Sequence, residues 1–306
     1  MAKTAYIFPG QGSQYVGMGK DLFAEFPVAK ELYQRADDVL GFSLSKVCFE
    51  GPEAELKQTK NTQPAIFLHS MAVWALLRPT DASMVAGHSL GEYSALVAAG
   101  ALTLENALTL VRLRGELMQK AGEENAGTMA AIVGLDTKTV GEICCTAWKE
   151  GVVQAANFNS PGQIVISGSV SGVRKAMELG KVRGAKLVKE LVVSGAFHSP
   201  LMQSAKDGLK AALDAMNIRD AAIPVYANVS ARPVRKADEI RESLFEQVTS
   251  PVRWEETIQH MSDDGVTNFV EIGPGKVLQG LVKRIAPAAS AAGIDTAAQV
   301  ASAAKV

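Results

Sequence analysis

The pentapeptide Gly87-His88-Ser89-Leu90-Gly91 constrains the fold more than any other segment of the chain. It follows an apolar run at 84–86 and precedes a helical pattern that extends from 92 to 101, which predicts a strand, a tight turn and a helix. Glycines on both sides let the strand and helix approach closely, and the turn projects the serine hydroxyl from a strained backbone. Ser89 is therefore the candidate nucleophile. A chance G-x-S-x-G match is the alternative.

Composition and charge exclude several classes of protein. The 306 residues carry a formal net charge of −1 and no long basic run, which argues against a nucleic-acid partner or a polybasic membrane anchor. No segment is long enough to span a bilayer, and the apolar run near the N-terminus is too short for a signal peptide. Cys48 and the adjacent pair at 144–145 lack C-x-x-C spacing, so neither a zinc site nor a disulfide scaffold is indicated. We expect a cytoplasmic protein.

Strand-like apolar runs alternate with helical patterns along most of the chain, which predicts an α/β fold with a mainly parallel sheet. Between about 127 and 193 the order becomes β-α-β-β-α-β, which is typical of a ferredoxin-like arrangement and could form a small inserted domain. The main sheet is expected to resume with strands at 224–227 and 269–272. The alanine-rich tail at 286–306 lacks a firm period, and we expect it to be frayed.

A serine nucleophile needs a base, and the four histidines differ in their surroundings. His198 lies in a loop where the chain returns from the small domain, a favourable place for chemistry. His69 lies in an apolar helical run and is predicted to be packed, whereas His260 follows a probable helix and is predicted to be solvated. His88 adjoins the nucleophile and at most lines the pocket. His198 is the candidate base.

Hydrolases with this turn usually place an acid between the serine and the histidine, and Asp136 occupies that stretch of the chain. Asp136 also directly precedes the predicted helix that begins at Thr137, where aspartate is a preferred N-cap. We favour the cap. His198 would then be oriented by another group, such as a backbone carbonyl.

The predicted helix from 103 to 120 carries two arginines on different faces. Arg112 belongs to the polar face and can pair with Glu116 one turn later. Arg114 falls beside the apolar stripe, where a guanidinium is costly unless it meets an anion. Either Arg114 extends to solvent or bridges two elements, or it binds a substrate carboxylate in bidentate fashion.

The loop Phe8-Pro9-Gly10-Gln11-Gly12-Ser13-Gln14 follows the first predicted strand. It departs from the dinucleotide-binding pattern G-x-G-x-x-G because Tyr15 replaces the third glycine. We interpret it as a loop whose backbone amides approach a substrate. The Gln11 amide would then join the Leu90 amide as an oxyanion donor.

Taken together, these segments resemble the malonyl-CoA:acyl carrier protein transacylases and the acyltransferase domains of fatty acid and polyketide synthases. The resemblance covers nearly the whole chain. It rests on 8–14, Thr62-Gln-Pro-Ala65, Gly87-His-Ser-Leu-Gly-Glu-Tyr-Ser94, Arg114-Gly115, Asn157-Phe-Asn-Ser-Pro-Gly-Gln163 and Gly273-Pro-Gly-Lys-Val-Leu278. It implies a hydrolase-like α/β domain formed by 1–126 and 194–306 with a ferredoxin-like insert at 127–193.

The resemblance also implies roles for individual residues. Ser89 would be the nucleophile, His198 the base and Arg114 the clamp on the malonyl carboxylate. The remaining implied residues are Gln11 and Leu90 in the oxyanion hole, Gln247 orienting the histidine through its carbonyl, and Gln63, His88, Met118, Asn159 and Phe197 in the pocket. The run 196–198 resembles the malonyl-selective form of its loop, although Gly195 departs from the commonest synthase pattern.

The implied reaction is a ping-pong transfer of malonyl from malonyl-CoA through a serine ester to the thiol of acyl carrier protein, with no metal or redox cofactor. A serine hydrolase or thioesterase with the same turn is the first alternative, and a non-catalytic interaction subunit is the second. The carrier is expected to be acidic, so docking would use a basic surface. The two candidate sets are Lys181, Arg183, Lys186 and Lys189, and Lys283 with Arg284, although either could be an ordinary solvated face.

Overall fold

The computed structural model of the chain describes residues 3–303. Its strands are β1 (Lys3–Phe8), β2 (Ala82–Gly87), β3 (Gly127–Val133), β4 (Val153–Ser160), β5 (Gln163–Ser169), β6 (Leu187–Glu190), β7 (Val225–Tyr226), β8 (Pro233–Val234), β9 (Val266–Ile272) and β10 (Ser290–Ile294). Its helices are α1 (Lys20–Glu25), α2 (Pro27–Leu40), α3 (Leu44–Glu50), α4 (Glu53–Leu56), α5 (Thr59–Leu77), α6 (Gly91–Ala98), α7 (Leu104–Glu124), α8 (Thr137–Ala147), α9 (Val170–Val182), α10 (Gln203–Ala215), α11 (Ala237–Gln247), α12 (Trp254–Asp263), α13 (Val277–Ile285) and α14 (Ala297–Ala303). None of the helices within these residues is long and apolar enough to cross a membrane.

The larger sheet has the strand order β10-β9-β1-β2-β7-β8. Neighbouring strands run parallel from β10 to β7, and β8 pairs antiparallel with β7 at the edge. The centre of the sheet is buried on both faces, because alternate residues of β1 belong to two hydrophobic clusters, as expected for parallel strands covered by helices. The predicted α/β fold with a mainly parallel sheet is confirmed.

A separate sheet is formed by the segment from β3 to β6. Its order is β4-β5-β3-β6, and every neighbouring pair is antiparallel. Helices α8 and α9 cover one face, where Ile132, Ile143 and Ile166 are buried in a cluster of their own. Met129 of β3 belongs instead to the main core, so this small layer is packed against the larger one. The predicted order of strands and helices in this segment is confirmed.

The prediction of a frayed tail was wrong as far as residue 303, and 304–306 lie outside the described residues. Strand β10 pairs with β9 along its whole length, and helix α14 follows it. The Asp295 carboxylate contacts the buried His69 imidazole, with 2.9 Å between Oδ1 and Nε2, and the Ala297 amide donates to Asp21. These contacts join residues far apart in sequence, which local periodicity cannot reveal.

Strands β1 and β2 place two loops side by side at their carboxyl ends. The His88 amide donates to the Phe8 carbonyl at 3.0 Å. A Cβ on Gly91 would lie 2.1 Å from the same carbonyl oxygen, and one on Gly10 would lie 2.5 Å from the His88 oxygen. Glycine is therefore required at both positions, and this close approach brings the 8–14 loop next to Ser89.

Candidate active site

Ser89 occupies the turn between β2 and α6 in a left-handed conformation, with φ of 50°. Such a conformation is strained for a residue with a side chain and is typical of a nucleophile elbow. The turn is tight, since a Cβ on Gly87 would lie 1.9 Å from the carbonyl carbon of Gly91. The Ser89 amide donates to the Asn228 side-chain oxygen at 2.6 Å. The hydroxyl is thus presented by a firmly held backbone.

The imidazole of His198 lies next to the Ser89 hydroxyl, with 2.8 Å between Nε2 and Oγ. Its other nitrogen, Nδ1, lies 2.9 Å from the Gln247 carbonyl oxygen and 3.1 Å from that of Ser250. Because carbonyls can only accept, Nδ1 carries the proton and Nε2 is free to take one from Ser89. Burial, helped by the charge of Arg114, lowers the pKa of His198 to about 3. The imidazole is therefore neutral, as a general base must be.

Asp136 takes no part in this arrangement. It is the N-cap of α8, where its carboxylate accepts from the Thr139 amide at 2.7 Å. That bond lowers the pKa of Asp136. The cap interpretation is confirmed, and backbone carbonyls occupy the place that a triad acid would take beside His198.

The guanidinium of Arg114 is buried beside the nucleophile, with 1% of the residue exposed. One terminal nitrogen donates to the Gln63 side-chain oxygen at 2.7 Å. The other donates to the Gln247 side-chain oxygen at 2.9 Å and to Ser89 Oγ at 3.0 Å. All three acceptors are neutral, so the buried positive charge has no carboxylate among its hydrogen-bond partners within residues 3–303. Such a cation is suited to binding an anion.

The helical period separates the two arginines as predicted. Arg112 lies on a different, partly exposed side of α7, where Nε donates to Glu116 at 2.6 Å. One of its terminal nitrogens donates to the Lys60 carbonyl at 2.9 Å and to the Asn61 side-chain oxygen at 2.8 Å. Arg114 does not extend to solvent. It bridges α5 and α11 next to the nucleophile, which is one of the predicted alternatives. That it also binds a substrate carboxylate stays a prediction.

Ser89, His198 and Arg114 line one cavity of about 250 Å³. The predicted oxyanion and pocket residues also line it, namely Gln11, Leu90, Gln63, His88, Met118, Asn159 and Phe197. Gln247 lies behind the wall, where it touches both Arg114 and His198. One cavity thus brings together residues from the loop after β1, α5, the elbow, α7, β4 and the loop before α10.

The predicted oxyanion donors are the backbone amides of Gln11 and Leu90, two residues that line the cavity. In the part of the chain that the structure describes, neither the Gln11 nor the Leu90 amide donates to another protein group. The Leu90 amide immediately precedes α6, where helical amides and the helix dipole favour negative charge. Two unpaired amides near a nucleophile can stabilise the oxyanion of a tetrahedral intermediate.

The other pocket residues are held by specific contacts. His88 Nε2 lies 2.9 Å from the Asn159 side-chain oxygen, and its ring contacts Trp254 with 5.5 Å between ring centres. Gln63 Nε2 donates to the Met118 sulfur at 3.5 Å. Burial lowers the pKa of His88, so this histidine is a neutral wall residue that does not reach Ser89. The predicted solvation of His260 was wrong, because its ring is half-buried and lies 2.7 Å from the Ala231 carbonyl.

A family model described as "Acyl transferase domain" matches residues 5–305. The chain belongs to the acyl transferase domain family. The malonyl CoA-acyl carrier protein transacylase of Bacillus subtilis is 50% identical over 288 residues, which cover 93% of this chain and 91% of that protein. The protein of the same name from Haemophilus influenzae is 46% identical over 292 residues, covering 93% of each.

Solved structures of this acyl transferase family superpose closely on the chain. A malonyl-transacylase solved in complex with a type II polyketide synthase acyl-carrier protein has a TM-score of 0.96 and 42% identity, with 99% of each chain covered. The acyl-carrier-protein-S-malonyltransferase of Bartonella henselae has a TM-score of 0.95 and 44% identity, covering 99% of this chain and 98% of that one. The family resemblance inferred from the motifs is confirmed.

Two polar residues of this acyl transferase site were missed by the sequence analysis. Glu92 is 2% exposed in α6 and accepts from the Asn228 amide at 3.0 Å and from Gln247 Nε2 at 2.8 Å. Asn228 also donates through its side chain to the Gly87 carbonyl at 2.7 Å. A glutamate in the otherwise apolar helix α6 was a signal that could have been noticed. Asn228 could have been found from its place just after β7, because β7 runs parallel to β2 and its carboxyl end lies beside the one that carries Ser89.

Proposed function

We propose that the chain transfers a malonyl group from malonyl-CoA to the phosphopantetheine thiol of an acyl carrier protein through an ester on Ser89. The observation that carries the proposal is the position of Arg114, whose guanidinium lies 3.0 Å from Ser89 Oγ and has no carboxylate among its hydrogen-bond partners in the described part of the chain. An acyl group attached to Ser89 would extend past this buried cation, which favours an acyl group that ends in a carboxylate. The names of the relatives agree with this substrate and acceptor.

In the first half-reaction, the Ser89 hydroxyl gives its proton to His198 Nε2 as Oγ attacks the thioester carbonyl. The amides of Gln11 and Leu90 hold the resulting oxyanion. The tetrahedral intermediate collapses, the carbon–sulfur bond breaks, and His198 returns the proton to the sulfur of coenzyme A. In the second half-reaction the thiol of the carrier gives its proton to His198 and its sulfur attacks the ester carbonyl. The bond between the carbonyl carbon and Ser89 Oγ then breaks, His198 returns the proton to Oγ, and the malonyl group leaves as a thioester of the carrier.

The proposal includes a finer description of the fold. Residues 1–126 and 194–306 would form a hydrolase-like domain, and 127–193 a ferredoxin-like insert. The order β4-β5-β3-β6, with two helices on one face, supports the second description. The elbow at the carboxyl end of β2 supports the first.

The proposed chemistry needs neither a metal nor a redox cofactor, because the base, nucleophile and oxyanion donors are all protein groups. Coenzyme A enters as part of the substrate. A cytoplasmic location also belongs to the proposal, and the free thiols of Cys48, Cys144 and Cys145 are consistent with a reducing compartment.

The surface that receives the carrier is proposed to be basic. Both candidate sets are exposed, although Arg183 already pairs with Glu142 at 3.4 Å. Charge reversal of each set in turn should show which one receives the carrier, because only reversal of that set should weaken transfer and reduce its dependence on salt. If reversal of both sets changes neither, the carrier docks elsewhere.

Labelled malonyl-CoA tests the proposal directly. The wild-type protein should form a labelled ester and pass the label to the carrier, whereas Ser89→Ala should do neither. The rate at which the trapped ester decays in water, compared with its decay on addition of carrier, separates a transacylase from a thioesterase. Rapid hydrolysis that the carrier does not outpace would refute the proposed acceptor, and a wild-type protein that forms no ester would refute the proposal as a whole.

A further inference from the structure

Glu92 is a buried carboxylate that none of the steps above uses. It lies on α6, the helix that follows the nucleophile, and only 2% of the residue is exposed. Its Oε2 accepts from the Gln247 side-chain amide at 2.8 Å and from the Asn228 backbone amide at 3.0 Å. Burial of a carboxylate in the main core is costly. If position 92 served only to stabilise the fold, an apolar residue would do so better.

Glu92 is one of three groups whose contacts fix which way the Gln247 amide faces. Gln247 Nε2 has two acceptors, Glu92 Oε2 at 2.8 Å and the Ser89 carbonyl at 3.0 Å. Its Oε1 faces Arg114, which donates to it at 2.9 Å. The reverse orientation would place the amide oxygen against two other oxygens and the NH2 group against the guanidinium. Both ends of the Gln247 amide would then meet groups of like polarity. The two acceptors that bind Nε2 therefore keep Oε1 directed at Arg114.

Because Glu92 contacts Arg114 only through Gln247, it affects the arginine differently from a directly paired carboxylate. A carboxylate bonded to Arg114 itself would occupy the guanidinium and compete with any anionic substrate. With Glu92 one amide away, Arg114 is held by a neutral oxygen and remains a net cation at Ser89. Burial raises the pKa of Glu92 to about 7, so at neutral pH its carboxyl is negative in only part of the molecules. The contact with Gln247 needs only an acceptor oxygen, which the carboxyl offers in either protonation state.

We propose that Glu92 is a positioning residue for the acyl-carboxylate site, which orients the Gln247 amide and so fixes the Arg114 guanidinium next to Ser89. The inference rests on the proposed function, because it concerns the selection of a malonyl over an acetyl group. Glu92 touches neither the substrate nor the reacting atoms. Its effect should therefore appear in substrate selection, as the ratio of Ser89 acylation rates with malonyl-CoA and acetyl-CoA.

Two substitutions separate the acceptor from the bulk of the side chain. Glu92→Met has a similar length but no acceptor, so the Gln247 amide keeps only the Ser89 carbonyl as its acceptor. The amide and the guanidinium that it contacts are then held less firmly, and the malonyl-to-acetyl ratio should fall about tenfold, the usual effect of losing one buried hydrogen bond. Glu92→Gln retains one acceptor oxygen and should restore the ratio to within about threefold of wild type. Rates are measured as second-order ester formation on Ser89, with the thermal midpoint recorded for each variant.

Glu271→Met is the matched control. Glu271 is also a fully buried glutamate, and it accepts from the Leu278 and Gln279 amides at 3.1 and 3.0 Å without touching the Arg114 network. We expect it to lower the thermal midpoint and to leave the malonyl-to-acetyl ratio unchanged. A fall in the ratio here equal to that of Glu92→Met would overturn the inference, because it would show a general effect of stability.

Gln247→Ala tests the same set of contacts between Glu92, Gln247 and Arg114. It replaces Glu92→Met as the test if that variant does not fold. It keeps the backbone carbonyl that orients His198 but removes the amide, so the ratio should fall as in Glu92→Met. Adding Glu92→Met to this background should change the ratio no further. A wild-type ratio in folded Glu92→Met or in Gln247→Ala, or equal losses in Glu92→Met and Glu92→Gln, would overturn the inference. Absence of any malonyl ester in wild type would instead refute the proposed function.

Discussion

Replacement of Arg114 by alanine should convert a malonyl-selective site into one that no longer distinguishes malonyl from acetyl. The guanidinium is buried, and its two terminal nitrogens are directed toward the nucleophile and its neighbours. A substrate carboxylate that pairs with both nitrogens would make two charge-assisted hydrogen bonds of about 1.5–3 kcal/mol each. Loss of both, at about 1.4 kcal/mol per tenfold, corresponds to a decrease of about 10²- to 10⁴-fold in kcat/KM for malonyl-CoA. Acetyl-CoA has no carboxylate and should lose far less.

The assay is the rate of Ser89 acylation by each thioester, measured on protein whose thermal midpoint has been checked. Arg112→Ala is the matched control, because Arg112 lies on the same helix but its guanidinium bonds to Glu116, Lys60 and Asn61, away from the nucleophile. This variant should keep the wild-type ratio. Equal losses for malonyl and acetyl in Arg114→Ala would show that the arginine supports the fold or the nucleophile in general, and the clamp would be refuted.

Three further outcomes are expected. Phe197→Ser should relax discrimination against methylmalonyl-CoA by about tenfold or more, since one methyl group is worth about 1–3 kcal/mol in a pocket; an unchanged competition ratio between the two thioesters would contradict this. Burial lowers the pKa of His198 to about 3, so the base is protonated only in strong acid, and Ser89 acylation should show no inflection near pH 6.5 between pH 5.5 and 8. The assay uses the Glu92→Gln background, because burial raises the pKa of the Glu92 carboxyl to about 7 and its titration would overlap this range. A midpoint near pH 6.5 in that background would show an ordinary histidine. Gly91→Ala should destabilise the protein by about 1–3 kcal/mol, because its Cβ would meet a backbone carbonyl of β1 at 2.1 Å. Gly141→Ala lies in the exposed part of α8 with nothing within 4 Å of its Cβ and should stabilise the protein by about 0.5–1 kcal/mol. Denaturant unfolding that ranks the two variants in the opposite order would refute the argument.

The parts of the site that follow from local pattern could be predicted from the sequence. The elbow around Ser89 depends on glycines within two residues, and the separation of Arg112 from Arg114 depends only on the helical period. The cap at Asp136 is likewise a local signal. In each case the residues that determine the structure lie within one or two turns of one another, so a short stretch of sequence is sufficient.

The parts that could not be predicted depend on contacts between distant segments. Glu92 and Gln247 are 155 residues apart, and neither residue carries a local sign that the other will be its partner. The tail is an equally clear case, because β10 is a strand only in the presence of β9, and its alanine-rich sequence has no strand pattern of its own. Buried polar networks and edge strands are decided by tertiary packing, which overrides local propensity.

The same arginine connects substrate selection with the strength of the base. After burial, the positive charge of Arg114 is the next cause of the lowered pKa of His198, because a nearby cation disfavours a second one. A carboxylate bound to Arg114 would partly cancel that charge and so raise the proton affinity of His198. The proton transfer from Ser89 would then become easier when the acyl group carries a carboxylate. Under the proposed function, Arg114 therefore favours malonyl in two ways. Its hydrogen bonds bind the carboxylate, and the bound carboxylate weakens the effect of the Arg114 charge on His198, which makes the imidazole a stronger base.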